Sequence, residues 1–318
     1  MTNVLGIDGG GTKTVAVLMN QTGQLLGAGD GGPSNYQSAG IETARYSLEW
    51  AILQATQNNK EPVKAICLGL AGVGRPEDLS VVRNLLEEVI HNTPSVPWSL
   101  QPNTVVICSD SAIALTGGVG HSAGIVAIAG TGSIVFGQNS QGLTKRSGGW
   151  GYLLGDEGGG YNIAIRGLQA ALRAYDGRGL PTILVEEFQQ ELQIDSLEDL
   201  VKLVYRSGWK VKEIAALTPI VDRAAAKGDA VANTIIDGAV EELALATRAV
   251  SSALFSSQEK FEIVTMGGIW HGESHLRDRF ETKIKAIAPL AQVIWPRHQP
   301  ASGAALLAFA ALGQYPQL

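Results

Sequence analysis

Apolar and polar positions fall into two alternating patterns along the chain. Short apolar runs of strand length, closed by glycines or by an acid, occupy 3–8 ("NVLGID"), 14–19 ("TVAVLM"), 65–72 ("AICLGLAG") and 104–110 ("TVVICSD"). Between them apolar residues recur every three or four positions, the helical period. The segment 41–56 puts Ala44, Leu48, Ala51, Ile52 and Ala55 on one helical face, and 80–90 repeats the pattern. "QTG" (21–23) turns the second run into "QLLGAG", so the chain opens with a three-strand meander. Three strands, helix, strand, helix, strand and the helix-like "SAIALTGG" predict one α/β unit.

The pattern then partly restarts. "GIVAIAGTGSIVFG" (124–137) is again strand, small-residue turn and strand, and "QGL" turns toward a third segment. Helices dominate 160–255, including 230–255; "EIVTMGG" (262–268) is the last expected strand and 302–312 the last helix. This reads as a divergent duplication of one fold, and 318 residues suit two domains of roughly 150 each. No low-complexity linker intervenes. The expected division is 1–116 and 117–318, with a hinge near 115–123, a helical insertion in the second domain, and the last helix free to pack back on the first.

Composition narrows the function. A 45% apolar, 17% charged chain buries a large core, and a net charge of −6 with a pI of about 5.4 argues against duplex binding. Cys67 and Cys108 sit in apolar runs as small buried hydrophobes, not as a disulfide framework. The start "MTNVLGIDGG" has no signal-peptide pattern, so a cytoplasmic location is expected. The uncharged stretch 111–144 is broken by glycines and His121, and reads as buried strands joined by turns, not a membrane span. Glycine is abundant, 39 of 318, about 12% against a usual share of roughly 7%.

Those glycines carry the chemistry. "GIDGGGTKT" (6–14) invites a P-loop, but Thr12 stands where the lysine belongs and a strand follows, not a helix. A dinucleotide fingerprint fails because no G-x-G-x-x-G joins a strand to a helix. What remains is a strand-to-strand turn in which Gly10 and Gly11 expose backbone N–H groups to an anion. Thr12 adds a hydroxyl, Lys13 follows, and Asp8 is placed to hold Mg²⁺ through its waters. An ordinary glycine hairpin is the alternative. "AGTGS" (129–133) offers a second such turn through Gly130, Thr131 and Gly132, and "MGGIW" (266–270) a third bare segment through Gly267 and Gly268.

These three segments resemble the phosphate-1, phosphate-2 and adenosine motifs of the sugar kinase, Hsp70 and actin ATPase superfamily. With "SNY" (34–36), "SDSAIA" (109–114) and "GGWGYLLGDEG" (148–158), the chain is similar over nearly its whole length to the N-acetylglucosamine kinases of the BadF/BadG-type ATPase family. The resemblance implies two ribonuclease-H-like (actin-like ATPase) domains with an interdomain nucleotide cleft. It assigns the sugar and phosphate-1 side to the first domain and the phosphate-2 and adenosine side to the second. It implies ATP and Mg²⁺ as cofactors, an amino sugar as substrate, and transfer of the γ-phosphoryl group to a sugar hydroxyl. Glucosamine or another hexosamine is the alternative to N-acetylglucosamine. A homodimer is expected, with neither nucleic acid nor membrane as partner.

By the same resemblance Asp110 is the catalytic base, while Asn35, Ser133, Gly149, Trp150 and Asp156 hold the sugar. The residue types leave simpler roles open: Asp110 as a helix N-cap, Asn35 as a turn residue after Pro33, Asp156 as a cap for the helix after 158, and Trp150 as core. Glu157 is a weaker neighbour. Two departures bear on the sugar: Ile134 stands where these kinases often carry Asn, and Ala71 where a serine might face the ligand. His271 and His275 are four apart, but a solvated loop suits them better than a metal site. The run 186–200 reads as an acidic, wet helix. An ATP-driven activator of a radical dehydratase is the runner-up; it needs cluster-binding cysteines that this chain lacks at exposed positions.

Overall fold

A computed structural model describes residues 2–206 and 208–316. Its contacts divide the chain into two compact units, Met1–Gly124 with Pro296–Leu318, and Ile125–Trp295. The first holds β1 (Asn3–Gly9), β2 (Thr14–Asn20), β3 (Leu25–Gly31), α1 (Tyr36–Ala39), α2 (Ile41–Thr56), β4 (Val63–Leu70), α3 (Pro76–Asn92), β5 (Val105–Ser109) and α4 (Asp110–Val119). The second runs from β6 (Gly124–Ala129) through β7 (Ser133–Gln138), β8 (Thr144–Gly148), α5 (Gly160–Tyr175), α6 (Leu184–Leu192), α7 (Val211–Ala215), α8 (Thr218–Ala226) and α9 (Ala230–Leu254). It ends with β9 (Phe261–Met266), α10 (Leu276–Ile287) and β10 (Ala291–Ile294), after which α11 (Pro300–Ala311) rejoins the first unit.

In the first unit the strands lie in the order β3-β2-β1-β4-β5. β1 and β2 are antiparallel, as are β2 and β3, while β4 runs parallel to β1 and β5 to β4. Both faces of this sheet are covered, which is why β1 and β4 read as unbroken apolar runs instead of alternating ones. Leu5, Ile7 and Leu68 pack with Leu48 and Ile52 of α2 and Val82 and Leu85 of α3. Val4, Ala65 and Cys67 face Ile113 of α4 and Ala301, Ala304, Ala305 and Phe309 of α11. The alanine stripe of α11 lets that helix lie on bare backbone: a Cβ at Gly6 would overlap Ala305 N and the Ala301 carbonyl.

The second sheet has the order β10-β9-β6-β7-β8, the same sequence of positions as the first when its strands are counted from β6. β7 and β8 are antiparallel, and β9 is parallel to both β6 and β10. The duplication read from the two strand–turn–strand openings therefore extends to the topology of both sheets. The core of this unit packs α5, α8 and α9 through Ile163, Leu168, Val221, Ile236 and Leu243.

Several local expectations need correction. β10 follows the strand expected to be last; four edge residues, none of them buried, carry too little periodicity to be seen in the sequence. The run 186–200 is not one wet helix: α6 ends at a left-handed Gln193 (φ 53°), and Phe188, Leu197 and Leu200 are buried. The uncharged stretch 111–144 opens with α4, the helix expected of "SAIALTGG", and its strands begin only at β6; the expected 116/117 division falls inside that helix. Among the described residues no helix is long and apolar enough to cross a membrane.

Candidate active site

In the first unit the site is built where the parallel strands end. β1 carries Asp8, and the turn to β2 is closed by Gly10 N–H donating to the Lys13 carbonyl at 2.9 Å. The Gly10 carbonyl in turn accepts from Ser34 N–H (3.0 Å) and Asn35 N–H (3.1 Å), which brings the "SNY" segment beside the turn. Gly9 is there for packing, since a Cβ would strike Leu70 and Ser34. Gly10 and Gly11 are not: a Cβ at Gly10 would make an ordinary contact, one at Gly11 would meet nothing, and neither has positive φ. Gly11, Thr12 and Lys13 are exposed.

Asp110 is the first residue of α4, not its cap. Ser109 caps the helix, its hydroxyl accepting Ala112 N–H at 3.3 Å, so the capping role weighed for Asp110 belongs to its neighbour. The Asp110 carboxylate accepts Ser111 N–H at 2.8 Å, and burial raises its pKa. Asp8 is raised from 3.8 to about 6, first by burial and then by the Asp110 charge, with Lys13 opposing. Two carboxylates thus share one part of the first unit, each disfavouring ionisation of the other. Asn35 does act as a turn residue, capping α1 by accepting Gln37 N–H at 3.1 Å. The same side chain also lies against the β4–α3 loop, where a Cβ on Gly72 would come within 2.8 Å of its Oδ1.

In the second unit the β6–β7 turn is closed by Gly130 N–H donating to the Gly132 carbonyl (2.9 Å). The first N–H groups of α5, from Gly160 and Tyr161, donate back to the Gly130 and Thr131 carbonyls at 2.8 and 2.9 Å. A cavity of about 560 Å³ is lined by Ser133, Ile134, Trp150 and Glu157. A second, of about 540 Å³, brings Gly130 and Thr131 together with Gly268, Ile269, Lys212 and Asp222. That volume lies within the roughly 300–1,000 Å³ of small-ligand sites. Gly268 and Gly130 would each tolerate a Cβ with nothing in reach, whereas Gly267 (φ 111°) would drive one into Ala129. Of that pair, only Gly268 is bare without a packing reason.

The segment 148–158 is held in an unusual backbone path, with positive φ at Gly148, Gly149, Gly151, Asp156 and Gly158. Asp156 does not cap α5; Gly159 does. Its carboxylate accepts Gly151 N–H at 3.0 Å and presses against Gly132, and burial raises its pKa. Asp156 therefore ties the loop to the β6–β7 turn. Trp150 is 61% exposed and stacks under the Arg146 guanidinium at 4.5 Å, so it is not a core residue. Ser133 Oγ donates to the Glu157 carbonyl at 2.6 Å. Ile134 packs on the Gly149 backbone, where a Cβ would come within 2.7 Å of its Cδ1.

Sequence reasoning missed Asp222 and Lys212. Asp222 is buried and accepts from Glu273 N–H (2.6 Å) and from the Ser274 backbone and hydroxyl, shaping the cavity wall beside Gly268. Some fifty residues separate these partners, and no motif links them. His271 stacks on Trp295 (4.6 Å) and His275 pairs with Asp278, and no group of three or more His, Cys, Asp or Glu among the described residues could hold a metal. Cys67 and Cys108 face each other at 3.8 Å as free thiols, the first buried and the second half-buried.

Two α/β units of one strand order, each with a glycine turn between its first two strands, define the class of actin-like ATPases built from paired ribonuclease-H-like domains. Within that class, the chain belongs to the BadF/BadG/BcrA/BcrD ATPase family, whose sequence profile matches residues 5–308. It is 36% identical over 311 residues to an N-acetylmuramic acid/N-acetylglucosamine kinase of Clostridium acetobutylicum, covering 97% of this chain and 98% of that one. It is 34% identical to an N-acetyl-D-glucosamine kinase of Dictyostelium discoideum, covering 96% and 97%. A solved structure from Chromobacterium violaceum, provisionally assigned as an N-acetylglucosamine kinase, superposes with a TM-score of 0.70 at 26% identity, covering 96% and 98%.

Proposed function

We propose that the chain is an ATP-dependent kinase that transfers the γ-phosphoryl group to a hydroxyl of an amino sugar, with N-acetylglucosamine as acceptor. One observation carries the reading beyond family membership. Gly10, Gly11, Gly130 and Gly268 lack side chains where neither packing nor backbone dihedral requires it. A missing side chain with no use in the fold is explained by close approach of a ligand to the backbone. The second unit already gathers Gly130, Thr131 and Gly268 around one nucleoside-sized cavity.

In this reading Thr12 and the Gly10–Lys13 backbone take one part of the phosphate chain, Gly130–Gly132 another, and Gly267–Gly268 the adenosine. Asn35, Ser133, Gly149, Trp150 and Asp156 hold the sugar. As the sugar oxygen bonds to the γ-phosphorus, its proton passes to the Asp110 carboxylate and the bond to the ADP oxygen breaks. A raised pKa suits this role, because a base works best when its pKa lies near the working pH. Positioning and charge neutralisation supply the remaining acceleration.

Mg²⁺ fits the residues present. Asp8 and Asp110 are mutually repelling carboxylates with Lys13 as nearby cation, and Mg²⁺ typically uses one or two carboxylates and phosphate oxygens instead of an all-protein cage. Asp8 would hold the ion, which neutralises phosphate charge when bound. ADP release measured against a panel of glucosamine, N-acetylglucosamine, N-acetylmuramic acid and glucose tests the reading. No turnover with any hexosamine overturns it.

A further inference from the structure

The loops that carry Asn35 and Gly72 are joined by one buried carboxylate that belongs to neither. Asp78, in the first turn of α3, is 6% exposed. Its Oδ2 accepts Gly74 N–H (3.0 Å) and Arg75 N–H (2.8 Å), which fixes the β4–α3 loop. Its Oδ1 accepts the Tyr36 hydroxyl (2.5 Å) and Gln37 Nε2 (3.1 Å), both from the turn that begins at Asn35. Gln37 Nε2 also donates to the Gly72 carbonyl at 2.9 Å. One oxygen therefore organises the loop and the other ties it to the turn. Asn35 is clamped between them, with its Oδ1 against Gly72 and accepting Gln37 N–H.

We propose that Tyr36 and Asp78 form a positioning latch that fixes the Asn35 side chain for the acceptor sugar. The latch acts through Asn35 and touches no reacting atom, and it rests on the sugar-binding reading of Asn35. It also explains a feature a plain helix cap leaves unexplained. Capping α3 needs only Oδ2, whereas the second oxygen reaches across more than forty residues of sequence to a tyrosine whose ring already packs on the unit's core. Hydrogen bonds to an ionised acceptor are stronger than neutral ones, which suits a link that must hold a short exposed turn against thermal motion. The Tyr36 hydroxyl is the main cause of the Asp78 pKa falling to about 2, so the acceptor stays ionised through the neutral range.

The test separates latch from cap. Tyr36→Phe keeps the ring, the Asp78 cap, the α3 start and the Gln37 bonds to Asp78 and Gly72, and removes the hydroxyl's bond to Asp78. It should raise the KM for sugar roughly two- to tenfold, as for one mispositioned hydrogen bond, with the KM for ATP and kcat within twofold. Gln37→Ala should shift the sugar KM in the same direction. Asn35→Ala should raise it at least as far, and the double variant Asn35→Ala with Tyr36→Phe should be no worse than Asn35→Ala alone, because both act through one contact. An unchanged sugar KM in Tyr36→Phe overturns the latch, as do equal rises for sugar and ATP or additive effects in the double variant. If Asn35→Ala itself leaves the sugar KM unchanged, the failure lies instead in the sugar-binding role of Asn35.

Discussion

Asp110→Asn is the most informative single change. Asparagine keeps the shape and an acceptor for Ser111 N–H, so α4, capped by Ser109, should begin as before. What disappears is the proton acceptor. General-base catalysis typically contributes about 10²–10⁴ in rate, or roughly 2.7–5.4 kcal/mol of barrier. The variant should lose that factor in kcat while nucleotide affinity stays within a few fold. Stability should move the other way. Asp8 rises from 3.8 to about 6 partly because the Asp110 charge lies near it. At about 1.36 kcal/mol per pH unit, that rise corresponds to a cost on the order of 3 kcal/mol at neutral pH, Asp110 being the second of its causes. Because the folded pKa is raised, the cost is absent below pH 3.8, grows as pH climbs through the interval to about 6, and is complete above it. Without Mg²⁺, the fall in melting temperature across that interval should be shallower in Asp110→Asn than in the parent. Coupled ADP release at saturating ATP and sugar gives kcat, calorimetry the nucleotide affinity, and melting curves from pH 4 to 8 the stability. A kcat within tenfold of the parent places the base elsewhere; a matched loss of nucleotide binding makes the residue structural.

The neighbouring glycines Gly267 and Gly268 should respond oppositely. Gly268→Leu puts a side chain into the 540 Å³ cavity from a Cβ position that meets no other atom, and should raise the ATP KM tenfold or more at unchanged urea midpoint, while Gly267→Ala, at φ 111° and overlapping Ala129, should cost about 3 kcal/mol of stability in urea titration. Gly6→Ala should cost a similar amount, because its Cβ overlaps the α11 backbone and the helix must lift from β1; retained protection of α11 amides in hydrogen exchange would refute that packing argument. Asp78 has a lowered pKa, so its contribution is complete above 3.8 and is lost as pH falls toward about 2. Acid unfolding of Tyr36→Phe followed by circular dichroism should begin at higher pH than in the parent.

Periodicity and glycine placement were enough to reveal the three-strand opening, α2 to the residue, the long α9 and the repeat of one fold, because those elements bury whole faces and so impose their period on the chain. The three glycine turns were legible for the same reason a missing side chain is conspicuous. Other features were settled only by tertiary contacts. Sequence could not say which glycines the fold itself requires: Gly6 and Gly9 are crowded by α11, Leu70 and Ser34, whereas Gly11 and Gly268 stand in open space, and only packing distinguishes the two kinds. Nor could it show that Ser109 relieves Asp110 of capping, that Asp156 and Gly132 touch, or that Asp222 reaches loop 272–274 across some fifty residues. Local sequence carries local propensity and the period of burial. The pairing of distant polar groups is chosen by the hydrogen bonds that become available once the sheets have formed, and it leaves no period to read.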